Sequence, residues 1–213
     1  MSPLPFKLCY HNPAAAVKPI IDISPTFVYS FSMNVYDFDK TIYPVDSTAQ
    51  FYRWCLRRYP ACRRTLPFTA WGLFCMAARL KTKTGAKQIF YRFLRHVPQD
   101  APALFWKEHI AYIEPWYLAQ RREDDLIISA SPEFLLRPVA EALGFALIAS
   151  PVEQSTGVYH GENCHGAEKP RRYREVYGDA PVEGFWSDSR SDTPMALLAA
   201  HAHLVRRGVS QPW

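Results

Sequence analysis

The sequence predicts an α/β protein: a doubly wound parallel sheet that carries an inserted all-helical segment. Three observations lead there. Strand and helix signals alternate from residue 126 onward, as α/β folds require. One more strand signal, ending in VYDFDKT (35–41), lies far upstream of the rest. Between the two, residues 44–120 carry apolar residues at mixed three- and four-residue spacings, the period of helices.

The bulk numbers agree. With 213 residues, 48% hydrophobic and 21% charged, the chain can bury one core plus a smaller appendage, and wholesale disorder is excluded. No apolar run reaches the roughly 20 residues that span a bilayer. The longest, LPFTAWGLFCMAARL (66–80), is interrupted by Gly72 and Arg79 and suits a buried or interfacial helix. Five cysteines form no CxxC pair, which fits reduced thiols and a cytoplasmic location. Residues 1–32 hold five prolines, lack the order of a secretory signal and read as a loosely packed N-terminal extension.

In chain order, Val35 and Tyr36 begin a strand, with Phe38 and Ile42 turned to the core. DSTAQFYRWCLRRYP reads as a helix entered through Asp46 or Ser47 as its cap. Helical spacing then continues to about 120, punctuated by Pro98, Pro102 and Pro115, and its aromatics read first as core. Leu126, Ile127 and Ile128 form a short, wholly apolar strand, as a sheet buried on both faces requires. Ser129–Pro132 opens a helix that runs to Leu143 and stops at Gly144. FALIAS (145–150) is a third strand, EKPRRYREVYG (168–178) a polar helix and GFWSDS (184–189) a fourth strand. DTPMALLAAHA (192–202) reads as a helix, and HLV (203–205) as a last short strand. The expected organisation is a core of 33–43 with 121–213, and an inserted helical cap at 44–120.

Charge is uneven along this frame. Residues 44–120 hold twelve Lys and Arg against four Asp and Glu, a net +8, while the whole chain carries +5. A basic block of this kind faces an anion.

Polar residues gather at strand ends: Asp37, Asp39 and Thr41; Ser129; Asp188; and, near helix starts, Lys169 and Asp192. Residues i and i+2 of a strand share a face, so Asp37 and Asp39 point one way and Phe38 the other. Two carboxylates so close repel unless a cation or a proton intervenes. With Asp188 as a third acid on the same rim, the set describes a hard-cation site that suits Mg²⁺. Singly, Ser129 would be a helix cap, Lys169 a solvated lysine and Asp192 an acid at a helix start. Their joint placement outweighs those readings.

These four clusters resemble the motifs of the haloacid dehalogenase superfamily, in particular its aspartate-nucleophile phosphatases of the phosphoserine-phosphatase-like branch with a helical cap. YDFDKT is similar to the DxDxT first motif and IIS (127–129) to the second. Lys169 stands at the third, and SDSRSD (187–192) resembles the acidic fourth. The resemblance runs from about Asn34 to Leu204. Lys40 and Ser187 depart from it, each standing where glycine is frequent.

The resemblance implies Asp37 as nucleophile and Asp39 as general acid and base, with Thr41, Ser129 and Lys169 on the phosphate. It also implies Mg²⁺ on Asp37, Asp188 and the backbone carbonyl of Asp39, supported by Asp192. The expected activity is hydrolysis of a small or lipid-linked phosphomonoester through an aspartyl-phosphate. A phosphotransferase sharing that intermediate stays open, as does a non-catalytic binder of anions, nucleic acid or a membrane surface. The expected partner is a small-molecule phosphomonoester. Nucleic acid is disfavoured because no binding motif is visible, contact of the cap with a membrane surface stays open, and no protein partner is called for. Nothing in the cap specifies phosphoserine itself.

Overall fold

A computed structural model describes residues 33–213 except 79 and 81. The N-terminal extension expected at 1–32 lies outside the described residues.

Six strands make one sheet in the order β3-β2-β1-β4-β5-β6. They are β1 (Met33–Tyr36), β2 (Leu126–Pro132), β3 (Ala146–Ser150), β4 (Val182–Ser187), β5 (Ala199–Arg206) and β6 (Val209–Pro212). The first five are parallel, and β6 pairs antiparallel with β5 at the edge. Val35, Leu126, Ile127, Ile128 and Phe185 are fully buried, as apolar strands covered on both faces should be.

Between β1 and β2 the chain is helical: α1 (Ser47–Arg58), α2 (Leu66–Ala77), α3 (Lys83–Phe90), α4 (Ala101–His109) and α5 (Pro115–Gln120), with 3₁₀ turns among them. Asp46 caps α1, its carboxylate accepting from Ala49 N at 2.8 Å. The aromatics of this stretch do not form a separate core. Phe51, Phe93, Phe105 and Trp106 join Tyr36, Ile127, Leu135 and Leu136 in one buried cluster. Trp106 Nε1 donates to the carbonyl of Leu135 at 2.6 Å, tying α4 to α6 (Glu133–Leu143). Gly144 ends α6 in the left-handed region, at φ 75°, where glycine carries no steric cost.

The C-terminal segment differs from the sequence expectation. In place of a helix over 192–202, a single turn, α8 (Thr193–Ala196), leads directly into β5. Ala and Leu favour a helix there, but β5 pairs with β4 over Val182–Ser187 and the sheet gains a strand. The short strand expected at 203–205 is thus the end of an eight-residue one. The second strand also runs past Ile128 to Pro132, with a register break between Ser129 and Pro132, before α6 begins.

The strand order reverses direction beside β1, with β2 on one side and β4 on the other. Ligands of open α/β sheets bind at such a switch point, outside the carboxyl ends of the strands.

Candidate active site

The site grows from the end of β1. Asp37 N still donates to Trp186 O at 2.8 Å, so the residue is fixed to the sheet. The chain then turns sharply: the carbonyl of Phe38 accepts from the N–H groups of Thr41, Ile42 and Tyr43, and Phe38 is buried beneath. Lys40 takes φ 57° in this turn, a left-handed conformation that costs a non-glycine residue roughly 1–2 kcal/mol. That cost explains why glycine suits the position.

A lysine side chain places one positive charge beside Asp37. Lys169, on α7 (Glu168–Tyr177), is 1% exposed and donates from Nζ to Asp37 Oδ1 and Asp192 Oδ2, both at 2.6 Å. Burial opposes its charge, yet the two carboxylates overcome that and hold the ammonium above the ordinary lysine value. Asp37 is pushed up to about 7, first by burial, with Lys169 pulling the other way and Asp192 adding to the rise. Ser187 Oγ donates to Asp192 Oδ2 at 2.8 Å, so the serine that stands where glycine is frequent fixes the second carboxylate.

Asp39 is held separately. Its Oδ1 accepts from Ser47 N at 2.8 Å and its Oδ2 from Ser131 Oγ at 2.5 Å. Ser131 also lies 3.2 Å from Ser47 Oγ and 3.1 Å from Thr48 Oγ1. A hydroxyl has one proton, and Ser131 gives its own to Asp39, so the other two hydroxyls donate to it. Burial, then the charge of Asp46, pushes Asp39 up to about 6, while Ser131 and Ser47 restrain the rise.

Ser129, buried, accepts from Ser131 N at 3.1 Å, which leaves its own O–H to donate elsewhere. The Ser131 N–H is therefore already committed. Thr41 links two strand ends: its hydroxyl faces Asp37 Oδ2 at 3.5 Å and accepts from Asp188 N at 3.0 Å. Burial raises the pKa of Asp188, and Lys40 opposes that rise.

Asp37, Asp39, Ser129, Lys169, Asp188 and Asp192 all line one cleft of about 390 Å³, whereas Thr41 sits just beneath it. The insertion supplies the facing wall through Leu73, Lys87, Phe90 and Tyr91.

The three carboxylates expected around one cation do not converge. Among the described residues no three His, Cys, Asp or Glu side chains come close enough to hold a metal, because the Asp39 carboxylate is turned to Ser47 and Ser131. Mg²⁺ needs fewer: it binds through one or two carboxylates and keeps several waters. Asp37, Asp188 and the Asp39 carbonyl, all hard oxygen donors around this cleft, fit that demand.

Four contributors were not foreseen from the sequence. Ser47 and Ser131 anchor Asp39, Ser187 anchors Asp192, and Lys87 reaches from α3 to the carbonyl of Ala130 at 3.2 Å and Asn163 Oδ1 at 3.0 Å. His165 borders the cleft, while Arg171 and Arg172 both pair with Glu168.

An α/β sheet with buried acids and a lysine at its switch point defines a hydrolase of the class whose motifs the sequence resembles. The family pattern of haloacid dehalogenase-like hydrolases matches residues 35–197, and the chain belongs to that family. It is 26% identical over 191 residues to Protein CicA of Caulobacter vibrioides, covering 77% of this chain and 81% of that one. A Bordetella pertussis protein of unknown function shares the fold with a TM-score of 0.62 at 20% identity, over 80% of this chain and 88% of that chain. A phosphoserine phosphohydrolase-like protein from Francisella tularensis does so at 0.51 and 15% identity, over 81% and 86%.

Proposed function

We propose that this enzyme is a Mg²⁺-dependent phosphomonoester hydrolase that works through an aspartyl-phosphate on Asp37. The observation that carries the reading is the buried Lys169 between Asp37 and Asp192. A lysine keeps its charge at that depth only where fixed negative charge meets it. With both carboxylates ionised, as the nucleophile must be, the trio is net negative, so a phosphate dianion entering beside it requires further positive charge. That requirement supports the metal.

In the first half-reaction an Asp37 oxygen bonds to phosphorus as the phosphorus–alkoxide bond breaks, and the leaving oxygen takes the proton of Asp39. In the second, water attacks phosphorus and gives its proton to Asp39, and phosphate leaves with the Asp37 carboxylate restored. A carboxyl raised to about 6 suits both duties near neutral pH. Lys169 and the Ser129 hydroxyl position the phosphoryl oxygens, and Thr41 positions Asp37 from beneath the cleft. Asp37, Asp188 and the Asp39 carbonyl would hold Mg²⁺, which would supply charge neutralisation at the phosphoryl group. The insertion acts as a cap, its cleft-facing residues excluding water and meeting the alcohol part of the substrate.

Asp37→Asn should lower Mg²⁺-dependent phosphate release from p-nitrophenyl phosphate by about a thousandfold or more, with the circular dichroism spectrum unchanged. Retained turnover in that folded variant would rule the mechanism out.

A further inference from the structure

Helix α2 is built the wrong way round for a soluble protein. Its inward stripe is Thr69, Gly72 and Cys75, all buried, while Leu66, Phe68, Trp71, Leu73 and Phe74 stand exposed. Trp71 is 52% and Phe74 54% exposed, and their rings stack on one another at 5.6 Å. Gly72 explains the packing. A Cβ there would meet Ala86 O and Phe90 N at 3.0 Å, so α2 and α3 approach backbone to backbone through their small residues. A contiguous set of large apolar groups left in water marks an interaction surface.

The charge around α2 identifies what covers it. From Arg53 to Arg95 the chain has eleven Lys and Arg, and no Asp or Glu occurs between Asp46 and Asp100. Arg63, Arg64, Arg92 and Arg95 are exposed on the neighbouring turns, and the Arg92 guanidinium lies 4.5 Å from the centre of the Phe68 ring. Aromatic and aliphatic groups flanked by unopposed arginines match the headgroup boundary of an anionic bilayer. A second copy of this chain would bring like charge against like. At 12 residues α2 is about 18 Å long, so it lays about three turns along a surface. Among the described residues no helix is long and apolar enough to cross a membrane.

The same surface reaches the cleft. Leu73 is exposed on α2 and also lines the cleft beside Phe90 and Tyr91, with Lys169 and the acids at the floor. We infer that α2 seats the protein on an anionic bilayer and that the cleft takes a phosphomonoester whose alcohol carries acyl chains. The second clause rests on the phosphatase reading above; the first does not. In this arrangement the acyl chains stay in the bilayer, the glycerol-sized part passes Leu73 and Phe90, and the phosphate reaches Asp37.

The test uses the full chain, its Trp71→Ala/Phe74→Ala double variant and two readouts. Wild type should co-sediment with phosphatidylcholine vesicles containing phosphatidylglycerol, bind pure phosphatidylcholine weakly and lose binding as salt rises. The double variant should bind about tenfold less or worse. It should hydrolyse soluble p-nitrophenyl phosphate as wild type does, yet lose most of its rate on phosphatidic acid in vesicles. Equal vesicle binding by both proteins, or none by wild type, would overturn the bilayer contact. A dimer that the double variant dissolves, seen without vesicle binding, would assign the surface to a second copy instead. Release from the soluble ester but none from vesicle-borne phosphatidic acid would overturn the lipid substrate. Absence of hydrolysis from either ester, with vesicle binding intact, would sink the phosphatase reading while supporting the membrane contact.

Discussion

The floor of the cleft and the outer face of α2 place costly groups in opposite ways. In the floor, charges leave water, and each meets a partner: Lys169 with Asp37 and Asp192, and Asp39 with Ser47 and Ser131. On α2, apolar side chains stay in water while a threonine, a glycine and a cysteine turn inward. A chain shaped for stability alone would reverse both choices, burying Trp71 and exposing Lys169. Chemistry at the floor and contact at the face account for the two departures. Each therefore predicts a different response to mutation.

Lys169→Met should have the largest structural effect. It leaves Asp37 and Asp192 facing each other without a cation, and breaking a buried pair in this way costs about 3–5 kcal/mol. Urea unfolding at pH 7 checks it, and part of the loss should return at lower pH as Asp37, whose pKa burial raises, takes up a proton. The sign follows from Asp37: its folded value lies above its unfolded one, so the folded state holds the proton more tightly and gains as pH falls through about 7.

Ser131→Ala probes a single hydrogen bond in the same floor. The hydroxyl favours the ionised form of Asp39, so its loss should raise the Asp39 pKa further above about 6. The limb of the kcat profile that reports Asp39 should move to higher pH. A shift to lower pH would contradict the assignment of Asp39 as acid and base.

On the face the expectation reverses. Trp71→Ala/Phe74→Ala should change unfolding stability in the absence of vesicles by only about 1–2 kcal/mol, since about half of each side chain is already in water. A loss as large as that of Lys169→Met would mean that α2 is part of the core and would erase the contrast.

How much of this was legible in the sequence depends on how far apart the partners lie. The acid pair at 37 and 39 was visible because its chemistry lies within one turn. The sheet was visible because buried parallel strands are short and wholly apolar. Lys169 could be placed only by resemblance, since what buries it is a contact 132 positions away. Ser131 was read as part of a helix start, and its bond to Asp39 spans 92 positions. The C-terminal strand was hidden because Met195–Ala200 has helix-favouring composition that pairing with β4 overrides. The direction α2 faces was misread: its spaced aromatics read as core, but Phe68, Trp71 and Phe74 stand exposed, because the packing side is set by the close approach of Gly72 to α3.

The most direct measurement of the central claim is chemical trapping at Asp37. Enzyme quenched in acid during turnover and treated with borohydride should yield homoserine at position 37, the reduction product of an aspartyl-phosphate, and peptide mass spectrometry reads that position. Homoserine at 37, absent without substrate, is the expected result. Phosphate release at full rate with no reduced residue at 37, or with one elsewhere, would contradict it.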